Sequence, residues 1–400
     1  MDAEDARTMG RRVRQIRTAQ GKSLAVVAGL AGISDGHLSR IERGERALDR
    51  RSLIIALANA LQVAPRELTR LPVPTPANGH TDSTVEAVRL ALMAVTNDLP
   101  GGEVLAAEVL RARVTATVDA LCRCDREGEV GAALPGLIRG LHASIAAGRD
   151  KAELLPLAAW LHTQATVPWL LLAGAPLDLC SLTVMLARLA AQDHGTPAPM
   201  GLVAASTARV MIAEGALDLA RAGLDTVNVP TNTPEHLQLT GFLALRRSMV
   251  AAHDDRPSEV DTALTYATEL AQVTGEGNAY GLGFGPVNVG LYQMAGLVTV
   301  GDHERAVSVA ESLNPQAPTN RSQQAAYWGD YGRALARVRS RRDDAVMALR
   351  HAEQISPHRV LRDPITREVI GELLLRSRRR DDALGRELRG MAYRAGLPVG

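Results

Sequence analysis

Four cations, Lys22, Arg40, Arg43 and Arg46, crowd into residues 22–46 beside the hydroxyls of Ser23 and Ser34. On a short helix, an arginine such as Arg40 can donate two hydrogen bonds at once to guanine O6 and N7. Such a pair is worth about 1–3 kcal/mol of discrimination against the wrong base. Asp35 can accept from a cytosine amino group, and at a helix start it also stabilises the positive end of the helix. Gly36 has no side chain to read with and costs about 1 kcal/mol of helix propensity. The surrounding charge fits this chemistry. Residues 1–70 carry 13 Lys/Arg against 8 Asp/Glu, whereas residues 71–400 carry 32 against 36. A basic head on a mildly acidic body suits a polyanion-binding module joined to something that need not touch the polyanion.

The elements that would position these residues are short helices. Met9, Val13 and Ile16 mark one face of a helix over 8–19 that Gly21 ends. Ser23 is suited to cap a helix over 24–31, which Gly32 stops, and Ser34 to cap a helix over 35–43, which Gly44 stops. Asp49 or Ser52 opens an apolar helix reaching Leu61, and Pro65 begins a last turn. The specific signal is the register. Ala28 sits where only a small side chain fits between two crossing helices, and Gly32 permits the sharp turn four residues later. Ile33, Leu38 and Ile41 then point inward.

With the run S-D-G-H-L-S-R-I-E-R-G from Ser34 to Gly44, the head resembles the XRE family of phage-repressor-like helix-turn-helix regulators over about residues 8–70. The resemblance implies that the helix opened by Ser34 lies in the DNA major groove. It implies base-edge positions at Asp35, Gly36 and Arg40, backbone positions at Ser34, His37 and Arg43, and a buried ion pair between Arg17 and Glu42. Where the family usually offers a polar phosphate-binding residue this chain has Leu24, leaving Lys22, Ser23 and Arg46 as substitutes.

Residues 72–82, PVPTPANGHTD, lack periodicity and read as a linker between a head over 1–71 and a body over 83–400. The body is helical by period, with breakers near Pro100, Gly148, Gly174, Gly195, Pro230, Asp254 and Pro315. It also repeats. Ala220, Leu224 and Val227 recur as Ala263, Ala267 and Leu270, then as Ala306, Ala310 and Leu313, then as Ala348, Ala352 and Ile355, at intervals of 42–43 residues. A small-x3-small-x2-large motif at fixed period implies helix pairs stacked into a solenoid. The segments HERAVSVAESLNP and DDAVMALRHAEQISP resemble the second helix of a tetratricopeptide repeat, although the spacing exceeds the roughly 34 residues usual there. The expected fold class is all-α, a five-helix repressor-like head followed by a tetratricopeptide-like α-solenoid. The pairing resembles bacterial XRE regulators with such bodies. That resemblance implies a homodimer on an inverted-repeat operator of double-stranded DNA, and a body that senses a peptide or small molecule.

Seven of the eleven aromatics lie between Tyr266 and Tyr331. Tyr280, Phe284, Tyr292, Tyr327, Trp328 and Tyr331, with Asn288, are candidates for a ligand wall, since pockets favour aromatic surfaces with a few polar groups. Packing between helices is the competing use of these rings. The glycine-rich run 275–286 leads into a helix start that could bind an anion, but no strand precedes it as a dinucleotide site would require. No hydrolase, zinc-protease or phosphate-loop motif is present, and Cys122, Cys124 and Cys180 have no zinc spacing. The sequence therefore predicts no catalysis, metal or cofactor. The acidic N-terminus is unlike a secretory signal, and the apolar stretch near Val167 is too short to span a bilayer. A cytoplasmic, nucleoid-associated regulator with no membrane contact is expected. The rival reading is a protein-interaction scaffold whose head is a docking or vestigial module.

Overall fold

The computed structural model describes residues 3–19, 21–48, 51–61, 68, 79–124, 127–318, 320–377 and 383–397. The head comprises α1 (Ala3–Ala19), α2 (Leu24–Leu30), α3 (Asp35–Glu42) and α4 (Arg51–Ala60) around a core of Val13, Val27, Ala28, Leu38, Ile41, Leu57 and Leu61. Ser23 Oγ accepts from Val26 N at 3.2 Å and Ser34 Oγ from His37 N at 3.3 Å, so both serines cap their helices. Gly32 makes its turn at φ +67°. Leu68 is helical and buried, but the turn expected from Pro65 otherwise lies outside the described residues.

The first helix of the body, α5 (Gly79–Thr96), begins inside the segment read as a linker, whose residues 72–78 lie outside the described set. Next come α6 (Ala107–Cys122), α7 (Glu127–Ala146) and α8 (Lys151–Leu161). A π-helical turn, His162–Thr166, leads into α9 (Val167–Ala173), followed by α10 (Leu177–His194). The π-turn has a local cause. Pro168 has no N–H to give to the preceding turn, and Val167 N donates instead to His162 O.

From here the chain is regular. Helix α11 (Pro197–Glu214) pairs with α12 (Leu217–Asp225), α13 (Pro234–His253) with α14 (Pro257–Thr274), α15 (Pro286–Val300) with α16 (His303–Ser312), and α17 (Arg321–Arg337) with α18 (Arg342–Ile355). After α19 (Pro357–Leu361), α20 (Pro364–Arg376) pairs with α21 (Ala383–Arg394). The first helix of each pair also lies on the first helix of the next, which is the stacking of an α-solenoid. The repeated alanines fall in the second helices, where Ala220, Ala267, Ala306, Ala310 and Ala352 are wholly buried.

The first helices carry a complementary device. A Cβ placed on Gly201, Gly241, Gly290 or Gly332 would come within 3.0 Å of Leu239, Phe284, Leu313 or Leu349 respectively. Each glycine is thus a socket for a large side chain from a neighbouring element. The deepest takes Phe284, whose ring occupies the space above Gly241. The superhelix then meets itself. Helix α17 packs on α6, α19 packs on α9, and Arg362 Nη1 donates to Ala173 O at 3.2 Å.

One buried polar pair stands in the first part of the array. His142 Nε2 and His162 Nε2 are 2.9 Å apart, so one ring donates and the other accepts. Burial pushes the His142 imidazole down to about 4. Burial first, and His142 second, pushes His162 well below its ordinary value.

Two outcomes follow. Gly241→Ala gains about 1 kcal/mol of helix propensity but overpacks against Phe284 by about 1–3 kcal/mol, so its denaturation midpoint should fall. Gly223→Ala in α12, where a Cβ meets nothing within 4 Å, should raise it. The histidine pair stays neutral in the fold while the unfolded chain takes up protons near pH 6.5. Stability should be fully present above pH 6.5 and drain away as pH falls towards about 4. Thermal melts of His142→Gln should show a shallower decline over that window.

Candidate nucleic-acid interface

The geometry of the candidate surface begins with a helix crossing. Helix α1 lies against the end of α3 at Gly10, where a Cβ would sit 2.1 Å from Ile41 O. The crossing is locked by Arg17, whose Nε and Nη2 donate to the two Glu42 carboxylate oxygens at 2.6 and 2.8 Å. The two side chains are only 12% and 4% exposed. Arg17 Nη1 also donates to Lys22 O at 3.0 Å, tying the same guanidinium to the loop before α2. The hydrogen bond to Glu42 holds Arg17 charged more firmly than usual. This is a bidentate, charge-assisted contact across the two helices that must hold fixed positions.

With the inner face so fixed, α3 turns its other side outward. Ser34, Asp35, Gly36, Arg40 and Arg43 are exposed and His37 is half-buried. Arg40 Nε donates to Gly36 O at 3.1 Å, so the arginine lies back across the glycine, which offers no side chain in its path. Arg40 is exposed and Nε makes its one side-chain hydrogen bond among the described residues, while Asp35 stands in the first turn. Arg43 is partly engaged. Its Nε and Nη2 donate to Glu45 at 2.8 and 2.9 Å and its Nη1 to Ser39 Oγ at 2.9 Å, each ion strengthening the other's charge. Arg46 is exposed and has no partner among the described residues. Ser23 and Ser34 use oxygen lone pairs as caps, which leaves each hydroxyl hydrogen able to donate to a phosphate.

Lys22 is the residue whose role changes. It was expected to reach phosphate, but its Nζ donates to Ala60 O at 2.8 Å and closes the C-terminal end of α4. A cation there satisfies an orphan carbonyl and suits the negative end of the helix. The outward cations of the surface are therefore Arg40, Arg43 and Arg46. Gly10 and the Arg43–Glu45 pair went unnoticed in the sequence. A glycine inside an otherwise helical pattern was the available signal for the first, and an acid two residues after a base for the second.

The body places the aromatic candidates in two separate clusters. Phe284 is wholly buried against Gly241, and Asn288 is 4% exposed. Tyr280 adopts φ +57° and its carbonyl accepts from Trp160 Nε1 at 2.7 Å. Tyr292 meets Phe242 edge-on at 6.1 Å. Tyr327, Trp328 and Tyr331 stack on one another 5.1–6.2 Å apart in the next cluster. Tyr327 is 3% exposed and donates its hydroxyl to Ala310 O at 3.0 Å, while Tyr331 donates to Glu311 at 3.1 Å. The single ligand wall expected from these seven residues thus gives way to interhelix packing, most completely at Phe284 and Tyr327. A cavity of about 420 Å³ lies elsewhere, lined by residues that include Arg89, Met93, Pro176 and Leu182. The glycine-rich run also supplies its own anion, since Glu276 Oε1 accepts from Val287 N at 2.8 Å at the start of α15.

Compared with known families, residues 8–71 match the model described as a helix-turn-helix domain. The head is a helix-turn-helix domain with α3 as its second helix. Neither the comparison with curated proteins nor that with solved structures gives a match for the chain. Among the described residues no helix is long and apolar enough to cross a membrane, and no group of His, Cys, Asp and Glu could hold a metal ion.

Replacing Arg17 with Met leaves Glu42 buried without its partner, a loss of about 3–5 kcal/mol for such pairs. Chemical denaturation should find the head of the Arg17→Met protein unfolding well before its body, whereas Arg43→Met should be near neutral.

Proposed function

We propose that the protein is a sequence-specific transcriptional regulator of the XRE kind that reads DNA through α3 and is controlled through its tetratricopeptide-like body. The observation that carries this reading is the outward arginine surface of a helix whose inner face is clamped by Arg17–Glu42. A rigid, cation-bearing helix of this length fits the major groove. Arg40, with Asp35 and Gly36 on the same exposed turn, reads base edges. Ser23, Ser34, His37, Arg43 and Arg46 hold the phosphate backbone. Two such heads in a homodimer would meet successive major grooves of an inverted repeat, with half-site centres about 34 Å apart or a multiple of that. The solenoid sets the separation of the heads, and an effector that favours one superhelical shape shifts affinity for the operator.

The test is selection of bound genomic fragments followed by quantitative binding. Arg40→Ala should weaken binding to the selected site by about 1–3 kcal/mol and relax the preference at one base position. Arg46→Ala should weaken all sequences alike and flatten the salt dependence by about one unit of slope. Unchanged footprint and affinity in Arg40→Ala would remove α3 as the reading helix. Absence of any salt-sensitive DNA retention would favour an interaction scaffold instead.

A further inference from the structure

The helical body holds a group of arginines that no carboxylate pairs among the described residues. Arg209 on α11, Arg246 on α13 and Arg359 on α19 come from elements far apart in the chain, yet Arg209 feels the charges of both others. No carboxylate is paired with any of the three among the described residues. Arg246 lies over the rings of Phe242 and Tyr292, 4.9 and 5.6 Å from their centroids, and its Nε is buried without a hydrogen-bond partner. Arg359 reaches Ser322 Oγ at 3.3 Å through Nη2, and its Nε too is buried and unpartnered. Arg209 is densely surrounded by protein but keeps some solvent contact. That enclosure, together with the neighbouring arginines, makes its proton easier to lose than usual, to about 10.

Desolvated like charges repel, and buried ions persist only where something pairs them. The fold nevertheless brings these three together. Arg359 belongs to the short helix that packs on α9 where the superhelix meets itself, so the cluster joins two walls at that seam. Phe242 and Tyr292, set nearly edge-on to each other, flank the Arg246 guanidinium, a group whose fork of N–H donors suits bidentate contact with an oxyanion.

We propose that this interior cluster is a binding site for a small oxyanion-bearing ligand, a carboxylate or a phosphate, held by Arg209, Arg246 and Arg359, with Tyr292 alongside. An anion there neutralises the repulsion across the seam and favours the closed superhelix. That is how a bound effector would reach the heads, and this last step alone rests on the regulatory reading above.

Full-length protein titrated with citrate and, separately, with inorganic phosphate tests the site, at ionic strength held constant by chloride. At least one probe should bind saturably and raise the melting temperature, and chloride should not. Citrate alone responding marks a carboxylate ligand, and phosphate alone a phosphorylated one. Arg209→Met and Arg246→Met should each weaken that binding by about tenfold or more. Without any probe, both variants should melt at or above the parent's temperature, because an unpaired buried cation has been removed. The proposal is overturned if neither probe saturates, if both variants keep the parent's affinity, or if both ligand-free variants melt clearly below the parent. The operator affinity of the probe-free variants and of Arg40→Ala is read separately, so a failed titration leaves the assignment of α3 standing.

Discussion

Several helix crossings in this chain are made where one helix carries no side chain beyond hydrogen. With aromatics only 3% of the residues, large rings cannot fill gaps between widely spaced helices, so the axes must approach closely. Gly10 does this for the head, and Gly201, Gly241, Gly290 and Gly332 do it for the body. Each accepts a carbonyl, a leucine or, once, a phenylalanine into space that a Cβ would fill. Close packing of this kind gives dispersion contact at the cost of tolerance, since one added carbon displaces backbone or a rigid ring. The rest of the architecture follows from these sockets. The sockets of Gly201 and Gly241 take side chains of the next pair or the loop before it, those of Gly290 and Gly332 take leucines at or in their own second helix, and the alanine repeat keeps the second helices equally low.

The head uses the same economy for a different purpose. A helix proposed to read DNA must hold its exposed side chains steady while making few contacts on that side. All its rigidity therefore comes from behind, through Leu38, Ile41 and the Arg17–Glu42 pair, with the Lys22 bond to Ala60 tying the preceding loop to α4. The division of labour among cations is physical. Those with a buried carboxylate or a helix end to satisfy face inward, whereas Arg40 and Arg46 stay exposed and Arg43 meets only the exposed Glu45 and Ser39.

Much of this was legible in the residues. Serine caps, glycine stops and the Ala28–Gly32 register located the helices of the head, because capping and turn chemistry are local. The alanine repeat located the second helices of the solenoid, because burial against a neighbour at fixed period leaves a fixed pattern. Contacts that depend on long-range closure left no such trace. Nothing near Lys22 announces Ala60, and nothing in the spacing of Arg209, Arg246 and Arg359 brings their charges within reach of one another. The aromatics misled for a related reason. Phe284 and Tyr327 look the same in a sequence whether they face a ligand or a glycine socket, and only the partner helix decides.

The seam between α9 and α19 has a consequence for the evolution of the array. An open solenoid can gain or lose a unit at little cost, because each unit touches only its neighbours. Here α17 and α19 touch the early helices α6 and α9, and Arg362 reaches Ala173 across almost half the chain. One pair more or fewer would carry α19 past its landing place. The number of helix pairs between α9 and α19 is thereby fixed by geometry, as the number of staves in a barrel is fixed by its hoop.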